Sequence, residues 1–282
     1  MIGFVLVDKP RGPTSHDIVD RVRKALGVRR IGHAGTLDPP ASGLLILGVG
    51  PATRLLRYAQ DLQKTYDVTA QLGVRTATLD ADGEIVSRSE VSAGPEDIRK
   101  AAGELTGCIE QVPPAVSAVK VGGERAYKKA RRGEDVELAP RKVTVHVFEI
   151  LRTSPTAFDA RIVCSSGTYV RSLVADVGDS LGCGAHVVSL RRTQIGELTA
   201  REAVKPDAVT PACIRPVEDV LRHLPRIDVD ADTASAARNG RSIEAQASNG
   251  EVLVVGPDGA VGVFEASDGI LRPTTVLGKA SD

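Results

Sequence analysis

The sequence Gly-His-Ala-Gly-Thr-Leu-Asp-Pro-Pro-Ala-Ser-Gly occupies residues 32–43 and decides how the first part of the chain can fold. Its three glycines and two prolines disfavour a regular helix or a central strand, so a loop with fixed turns is predicted. The apolar run that follows, residues 44–47, has the length of a buried strand. Asp38 therefore sits on a stiff loop anchored to that strand. Its carboxylate is either a catalytic group or the side chain that closes a turn before proline.

Length and composition indicate a globular protein. The 282 residues suit one large domain, or a large and a small one, and a hydrophobic content of 42% can bury a substantial core. The four cysteines form no Cys-x-x-Cys pair, which favours reduced thiols over disulfides. Cys183 and His186 have ligand-like spacing, but no second pair accompanies them and no metal site is predicted. Without a transmembrane or signal-peptide pattern, we expect a cytoplasmic protein.

Positive charge is concentrated in two segments, although the chain carries no net charge. Residues 1–60 contain nine Lys or Arg against four Asp or Glu, and residues 120–132 contain six against one. Residues 226–282 are acidic, with five basic against nine acidic side chains. Basic segments can bind phosphate on a neutral molecule, which makes a nucleic acid one candidate partner. An ordinary solvated face is the alternative.

Hydrophobic periodicity predicts strands and helices in alternation. The chain begins with a strand at Gly3–Val7, and a helix capped by Ser15 then extends to Leu26 and ends at Gly27. Alternating strands are predicted at residues 66–72, 143–150, 158–164 and 186–193. Because several of these strands are half-exposed, we predict an α+β fold with a mixed, largely antiparallel sheet.

The C-terminal part is predicted to be a separate, small domain. Residues 200–225 contain four prolines and suit a connection. Beyond it, residues 251–255 and 260–264 form a predicted hairpin. We therefore expect a main domain over residues 1–220 and a β-rich domain over residues 226–282.

The loop of residues 32–43 resembles the catalytic motif of the TruB-type tRNA pseudouridine synthases, which has the form G-H-x-G-x-L-D-P-x-A-[ST]-G. Only Pro40 departs from the residue that is usual in the family. Residues 7–10, 164–171 and 182–192 match further family motifs, so the resemblance covers nearly all of residues 1–200. It implies a bacterial, stand-alone isomerase that converts uridine 55 of the tRNA T-loop to pseudouridine, without cofactor, metal or guide RNA. We also expect a monomer.

The resemblance assigns roles to five side chains of the predicted active site. It makes Asp38 the catalytic residue and Arg171 its ion-pair partner. Tyr66 corresponds to the tyrosine that stacks on the target base. Tyr169 corresponds to a further pocket tyrosine, and Leu190 to an apolar wall. Taken without the resemblance, the two tyrosines would be interpreted as strand-packing aromatics.

The resemblance also implies RNA contacts. His33 matches a histidine that fills the gap left by flipped bases, and Lys9 is expected to contact phosphate or the loop, with a plain surface lysine as the alternative. Residues 110–142 resemble an inserted basic thumb. Its RNA-binding side chains would be Lys128, Lys129, Arg131 and Arg132. Residues 226–282 are similar to a PUA domain, an RNA-binding module, although a tail that only stabilises the main domain is the alternative.

The implied chemistry needs one carboxylate. The uridine is flipped out of its loop, its N1–C1′ bond breaks, and C5 then bonds to C1′. A second carboxylate that activates water would instead cause hydrolysis. Three rival interpretations stay open at this point: a guide-RNA-dependent enzyme of the dyskerin branch, a non-catalytic RNA-folding chaperone, and a sugar-acting hydrolase.

Overall fold

The computed structural model describes residues 1–114, 116–117, 120–121, 124–125, 132, 134 and 138–278. The chain divides into two compact units. The first combines Met1–Leu62 with Ile195–Asp282, and the second comprises Gln63–Gln194. Most of the basic helix predicted within the thumb lies outside the described residues.

Strands outnumber helices in the described chain and often follow one another directly, so the predicted alternation of strands and helices holds only in part. The strands are β1 (Gly3–Lys9), β2 (Ile31–His33), β3 (Ala41–Val49), β4 (Lys64–Leu72), β5 (Val74–Thr76), β6 (Ile85–Arg88), β7 (Gly107–Gln111), β8 (Lys120–Val121), β9 (Glu124–Arg125), β10 (Arg141–Ser154), β11 (Ala157–Cys164), β12 (Ala185–Ile195), β13 (Leu198–Thr199), β14 (Arg226–Asp228), β15 (Ile243–Glu244), β16 (Gly250–Gly256), β17 (Gly259–Ser267) and β18 (Ile270–Val276). The α-helices are α1 (Ser15–Leu26), α2 (Leu56–Gln60), α3 (Pro95–Glu104), α4 (Val170–Ser180), α5 (Val217–Val220) and α6 (Ala231–Arg238). Short 3-10 helices occupy Gly50–Leu55, Ala200–Glu202, Pro206–Ala208 and Pro211–Cys213.

Strand β3 is the centre of the first unit. It pairs antiparallel with both β1 and β2. Its odd-numbered residues, such as Leu45 and Leu47, pack with the apolar stripe of α1. Leu44 and Ile46 point the other way and join a second buried cluster that includes Tyr58. Burial on both faces explains why the sequence of β3 is continuously apolar.

The C-terminal strands form a five-stranded sheet in the order β14-β16-β17-β18-β15. The predicted hairpin is confirmed as β16 and β17, which turn between Gly256 and Gly259. Residues of this sheet, including Leu253 and Val263, share one buried cluster with Phe4 of β1. For this reason the compact unit includes both ends of the chain, whereas the predicted boundary separates residues 1–220 from residues 226–282.

The second unit is built on antiparallel pairs, β4 with β11, β11 with β10, and β10 with β7. Buried and half-buried residues alternate along all nine positions of β4, as its sequence predicts. Together with the sheets of the first unit, these pairs confirm the predicted α+β class with a largely antiparallel sheet. In the part of the chain described here, no helix is both long enough and apolar enough to span a membrane.

Candidate active site

The loop that carries Asp38 is a tight turn at the start of β3. The backbone N–H of Ala41 donates to the carbonyl oxygen of Asp38 at 3.0 Å, which closes a turn over the two prolines. The N–H of Gly12 donates to the carbonyl of Pro39 at 2.8 Å and ties the turn to the segment after β1. The side chain of Asp38 is half-buried. The predicted stiff loop on a buried strand is therefore observed.

Lys9 supports this loop from inside the protein. Its side chain is fully buried at 0% exposure. The ammonium donates to the carbonyl oxygens of Ala41 at 2.7 Å, Pro10 at 3.0 Å and Pro39 at 3.3 Å. The prediction of a plain surface lysine and the prediction of a direct phosphate contact are both wrong for Lys9, because its buried ammonium donates to the loop backbone. The predicted loop contact is the alternative that the geometry supports.

Ser15 fastens the other side of the loop to helix α1. Its hydroxyl donates to the carbonyl of Leu37 at 3.0 Å and accepts from the N–H of the same residue at 2.9 Å. Ser15 is 2% exposed, so this pair of bonds is shielded from water. The predicted capping role of Ser15 is wrong, since Thr14 caps α1 and accepts from the N–H of Asp17. Ser15 instead binds the backbone of Leu37, the residue that precedes Asp38.

Replacing Lys9 by methionine is expected to loosen the Asp38 loop. The variant leaves buried carbonyls of the turn without their donor, and we expect the free energy of unfolding to fall by about 2 kcal/mol. Urea unfolding measures this change. Lys24→Met is the matched control, because Lys24 is an exposed residue of α1. Equal unfolding midpoints for Lys9→Met and the control would contradict the supporting role of Lys9.

Arg171 lies in the first turn of α4 in the second unit and is 4% exposed. One of its terminal nitrogens donates to the carbonyl of Thr78 at 2.6 Å, and the other donates to the carbonyl of Val116 at 2.9 Å. The first nitrogen is also 3.6 Å from a carboxylate oxygen of Asp80. The guanidinium is thus held in a fixed orientation by two carbonyls and one carboxylate.

Asp80 is a residue of this site that the sequence did not reveal. It is 7% exposed, and its carboxylate faces Arg171. The same carboxylate accepts from the hydroxyl of Thr78 and from the N–H of Asp82, which fixes the turn. The sequence Asp-x-Asp-Gly is typical of a turn, so the hydrogen bond from the N–H of Asp82 has a local signal. No local signal predicts the arginine, which lies far along the chain.

Tyr169 occupies the N-cap position of α4, and hydrogen bonds to its backbone fix its position. The side-chain amide of Gln111, itself 1% exposed, accepts from the N–H of Tyr169 at 2.7 Å and donates to its carbonyl at 3.0 Å. The guanidinium carbon of Arg141 lies 4.6 Å from the centre of the Tyr169 ring. Arg141 also donates to the carbonyl of Gly167. The half-buried ring is therefore stacked on a cation.

The other predicted site residues lie on strands. Tyr66 lies on β4 opposite Ile162 and is 9% exposed. Leu190 is half-buried on β12, which neighbours β4 in the sheet. In the first unit, His33 is half-buried at the end of β2, opposite Leu47. Tyr66 and Leu190 therefore lie on adjacent strands of one unit.

Of the predicted thumb residues, Lys128, Lys129 and Arg131 lie outside the described residues. Arg132 is exposed, and its guanidinium donates to a carboxylate oxygen of Glu134 at 2.6 Å. Asp38 and Arg171 belong to different units, and their predicted ion pair stays a prediction.

Cys164 ends β11, immediately before the segment that leads to Tyr169. Burial raises the pKa of its thiol to about 11, so the sulfur is protonated at neutral pH. A nucleophilic cysteine is therefore not available at this position. Among the residues that the structure describes, no group of three or more His, Cys, Asp and Glu side chains is arranged to hold a metal ion.

Three family descriptions together match most of the chain. Residues 23–170 match the N-terminal domain of the TruB family pseudouridylate synthases. Residues 171–225 match the tRNA pseudouridylate synthase B C-terminal domain, and residues 224–278 match the C-terminal part described as tRNA pseudouridine synthase II.

Curated relatives match over most or nearly all of their length. A protein of Arthrobacter sp. (strain FB24) named tRNA pseudouridine synthase B is 45% identical, over 99% of this chain and 98% of the relative. A protein of the same name from Thermobifida fusca (strain YX) is 45% identical over 98% of both chains. The one from Cutibacterium acnes (strain DSM 16379 / KPA171202) is 48% identical, over 86% of this chain and 85% of the relative.

Two solved structures have a similar fold. A chain in the crystal structure of a Cbf5-Nop10-Gar1 complex has a TM-score of 0.71 and 26% identity, over 97% of this chain and 79% of that one. A chain of an H/ACA RNP bound to a substrate RNA has a TM-score of 0.74 and 23% identity, over 98% of this chain and 84% of that one. At 23% identity, the similarity to this second chain shows the fold alone.

Proposed function

This chain belongs to the TruB family of pseudouridine synthases, and from that premise we propose that it isomerises uridine to pseudouridine in tRNA. The observation that carries the proposal is the Asp38 turn, which the buried Lys9 and Ser15 hold from both sides. A rigid turn of this kind keeps a carboxylate oriented before the substrate arrives, so no energy is needed for orientation during the reaction.

The reaction rearranges bonds within one nucleotide. The uridine leaves its stack and enters the site, the N1–C1′ bond breaks, and the base turns in place. C5 then bonds to C1′, the proton on C5 is lost, and N1 gains a proton, so the composition of the nucleotide is unchanged. We propose Asp38 as the carboxylate that acts on the uridine. A single carboxylate suits this isomerisation better than hydrolysis, which uses a second one to activate water.

The second unit supplies the supporting groups of this proposal. We propose that Arg171 neutralises Asp38, a role supported by the guanidinium's burial and by its fixed contacts to Thr78 and Asp80. Tyr66 is proposed to stack on the flipped base. Tyr169 is proposed as a further pocket residue, and its backbone anchoring by Gln111 supports a defined ring position. Leu190 is proposed as an apolar wall. His33, which belongs to the first unit, is proposed as the side chain that fills the vacated stack.

We further propose that the substrate is the T-stem-loop of tRNA, modified at position 55 by a cytoplasmic monomer without guide RNA or metal. Full-length similarity to curated enzymes named tRNA pseudouridine synthase B supports the stand-alone type. The similarity to a chain of a Cbf5-Nop10-Gar1 complex leaves the dyskerin branch as the alternative. The PUA-like character of residues 226–282 is also proposed, supported by their five-stranded sheet.

The experiment is to incubate the purified protein with an unmodified tRNA transcript and to map pseudouridine by mass spectrometry. We expect pseudouridine at position 55 with no guide RNA or partner protein added. A requirement for guide RNA would favour the dyskerin branch, and release of free uracil would favour a hydrolase. Faster tRNA folding without any pseudouridine would favour a chaperone.

Neutralising the thumb by replacing Lys128, Lys129, Arg131 and Arg132 with glutamine is expected to weaken tRNA binding. The slope of log affinity against log salt should fall by about three, because each phosphate contact contributes about one and Arg132 is already paired with Glu134. Filter binding at several salt concentrations measures the slope. Arg99→Gln is the control, since Arg99 pairs with Glu96 on α3. An unchanged slope would show that these four thumb residues do not contact phosphates.

A further inference from the structure

Surface arginines of the first unit differ in how their charge is compensated. Arg222 and Arg226 each lie within 4.0 Å of a carboxylate oxygen, from Glu197 and Asp228 respectively. Three other exposed arginines, Arg30, Arg54 and Arg57, have no such partner among the residues that the structure describes. We call these three residues the arginine strip. Other exposed arginines of this unit, such as Arg29 and Arg272, also have no such partner among the described residues, and the arginine strip differs from them in the hydrogen bonds that join its members.

Neutral groups hold the arginine strip in place. Arg30 donates to the hydroxyl of Thr53 at 2.7 Å, and Thr53 immediately precedes Arg54. Arg54 and Arg57 both reach β18, where Arg54 donates to the carbonyl of Val276 at 3.0 Å. These contacts join the loop before β2, the 3-10 helix after β3 and the last strand into one surface.

Arg57 is the most constrained member of the strip. It donates to the hydroxyl of Thr275 at 3.2 Å and to the hydroxyl of Tyr58, and its guanidinium carbon lies 4.6 Å from the centre of the Tyr58 ring. Glu251 and Asp61 are close enough to influence its pKa but lie beyond 4.0 Å. Neutral acceptors orient a guanidinium without cancelling its charge, which leaves its remaining donors available to an anion.

The strip lies at one end of α1 and the Asp38 turn lies at the other. Ser15 at the start of α1 binds Leu37, and Arg23 in its last turn donates to the carbonyl of Ile31 at 2.9 Å. Ser15 and Arg23 are eight positions apart on α1, so the contact next to Arg30 lies about 12 Å along the helix from the contact that holds the turn. A nucleotide in contact with Asp38 cannot reach that far, whereas the helical backbone of the same RNA can.

We propose that the arginine strip is a second RNA-contact surface, which binds phosphates of the tRNA backbone away from the uridine that is modified. This inference rests on the proposed function. The planar fork of a guanidinium matches the oxygens of a phosphate group, and double-helical RNA is bound largely through its phosphates and shape. The strip positions the substrate and takes no part in the chemical step.

The test is the variant Arg54→Gln/Arg57→Gln, assayed for tRNA affinity at 50–200 mM salt and for kcat at saturating tRNA. We expect the salt slope to fall by about two, so that this increase in salt costs the variant about 16-fold less affinity than it costs the wild type. We expect kcat to be unchanged. Arg54→Lys/Arg57→Lys should recover the slope, because it restores both charges.

Arg222→Gln/Arg226→Gln is the matched control, since it removes the same formal charge from arginines that carboxylates already compensate. Its slope should equal that of the wild type. Arg30→Gln tests the strip without changing Arg57, so its result does not depend on correct folding around Arg57. It should lower the salt slope by about one. The inference is overturned if the glutamine variants keep the wild-type slope, if the control loses as much, or if the lysine variant fails to recover. Pseudouridine formation by the wild type tests the proposed function separately.

Discussion

Asp38→Asn is expected to lower the rate of pseudouridine formation by about 10⁴-fold or more, which is the scale seen when an enzyme loses its nucleophile. An amide of the same size cannot supply the negative charge that the proposed chemistry needs. The turn itself should persist, because Ala41 donates to the backbone carbonyl of residue 38, which the substitution leaves in place. We therefore expect tRNA affinity to remain within about twofold.

Single-turnover conversion of tRNA, measured alongside filter binding, separates the two effects in Asp38→Asn. Asp61→Asn is the control, because Asp61 is an exposed carboxylate of the same unit. If the Asp38 variant forms pseudouridine at the wild-type rate, the catalytic assignment is lost. If it loses affinity as much as rate, Asp38 serves binding instead of chemistry.

Arg171→Ala is expected to reduce kcat by about 10²-fold or more with little change in tRNA affinity, because electrostatic support of a catalytic group acts in the transition state. The same substitution leaves Asp80 buried without its cation. We expect the free energy of unfolding to fall by about 3–5 kcal/mol, the usual result of breaking a buried ion pair. Calorimetry and single-turnover kinetics measure the two losses.

Two further variants separate catalysis from folding at this position. Arg171→Lys retains the positive charge but cannot span the carbonyls of Thr78 and Val116 with one amine, so we expect most of the loss in kcat with less loss of stability. Asp80→Asn retains both carbonyl contacts of Arg171 and should show a smaller loss in kcat. A defect in binding alone would contradict the ion-pair role of Arg171.

Local sequence patterns predicted most of the long strands. Burial on one face gives β4 its alternating sequence, and burial on both faces gives β3 its continuous apolar run. Both patterns can be recognised from neighbouring residues alone. The hairpin of β16 and β17 follows in the same way from its glycine turn. The cluster that joins Phe4 to Val263 has no local signal, because it connects opposite ends of the chain, and the predicted domain boundary stays a prediction.

The supporting residues of the site were harder to predict than Asp38. A lysine before a proline has no local feature that distinguishes a fully buried side chain from an exposed one. Lys9 is buried because three carbonyls from two segments converge on it. Ser15 and Thr14 are equally good caps, and only the position of Leu37 decides which hydroxyl does which task. For Asp80, the partner lies on a helix about ninety residues away.

The joint core of the first unit has a consequence for how the polypeptide folds as the ribosome makes it. Phe4 and Leu6 are synthesised long before Val263 and Leu277, with which they share a buried cluster. The nascent chain therefore keeps these apolar side chains uncovered until the strands that contain Val263 and Leu277 have been made, although domains that close early can fold before release. The segment with Asp38 is made earlier than these strands, and its compact unit is completed only after they leave the exit tunnel.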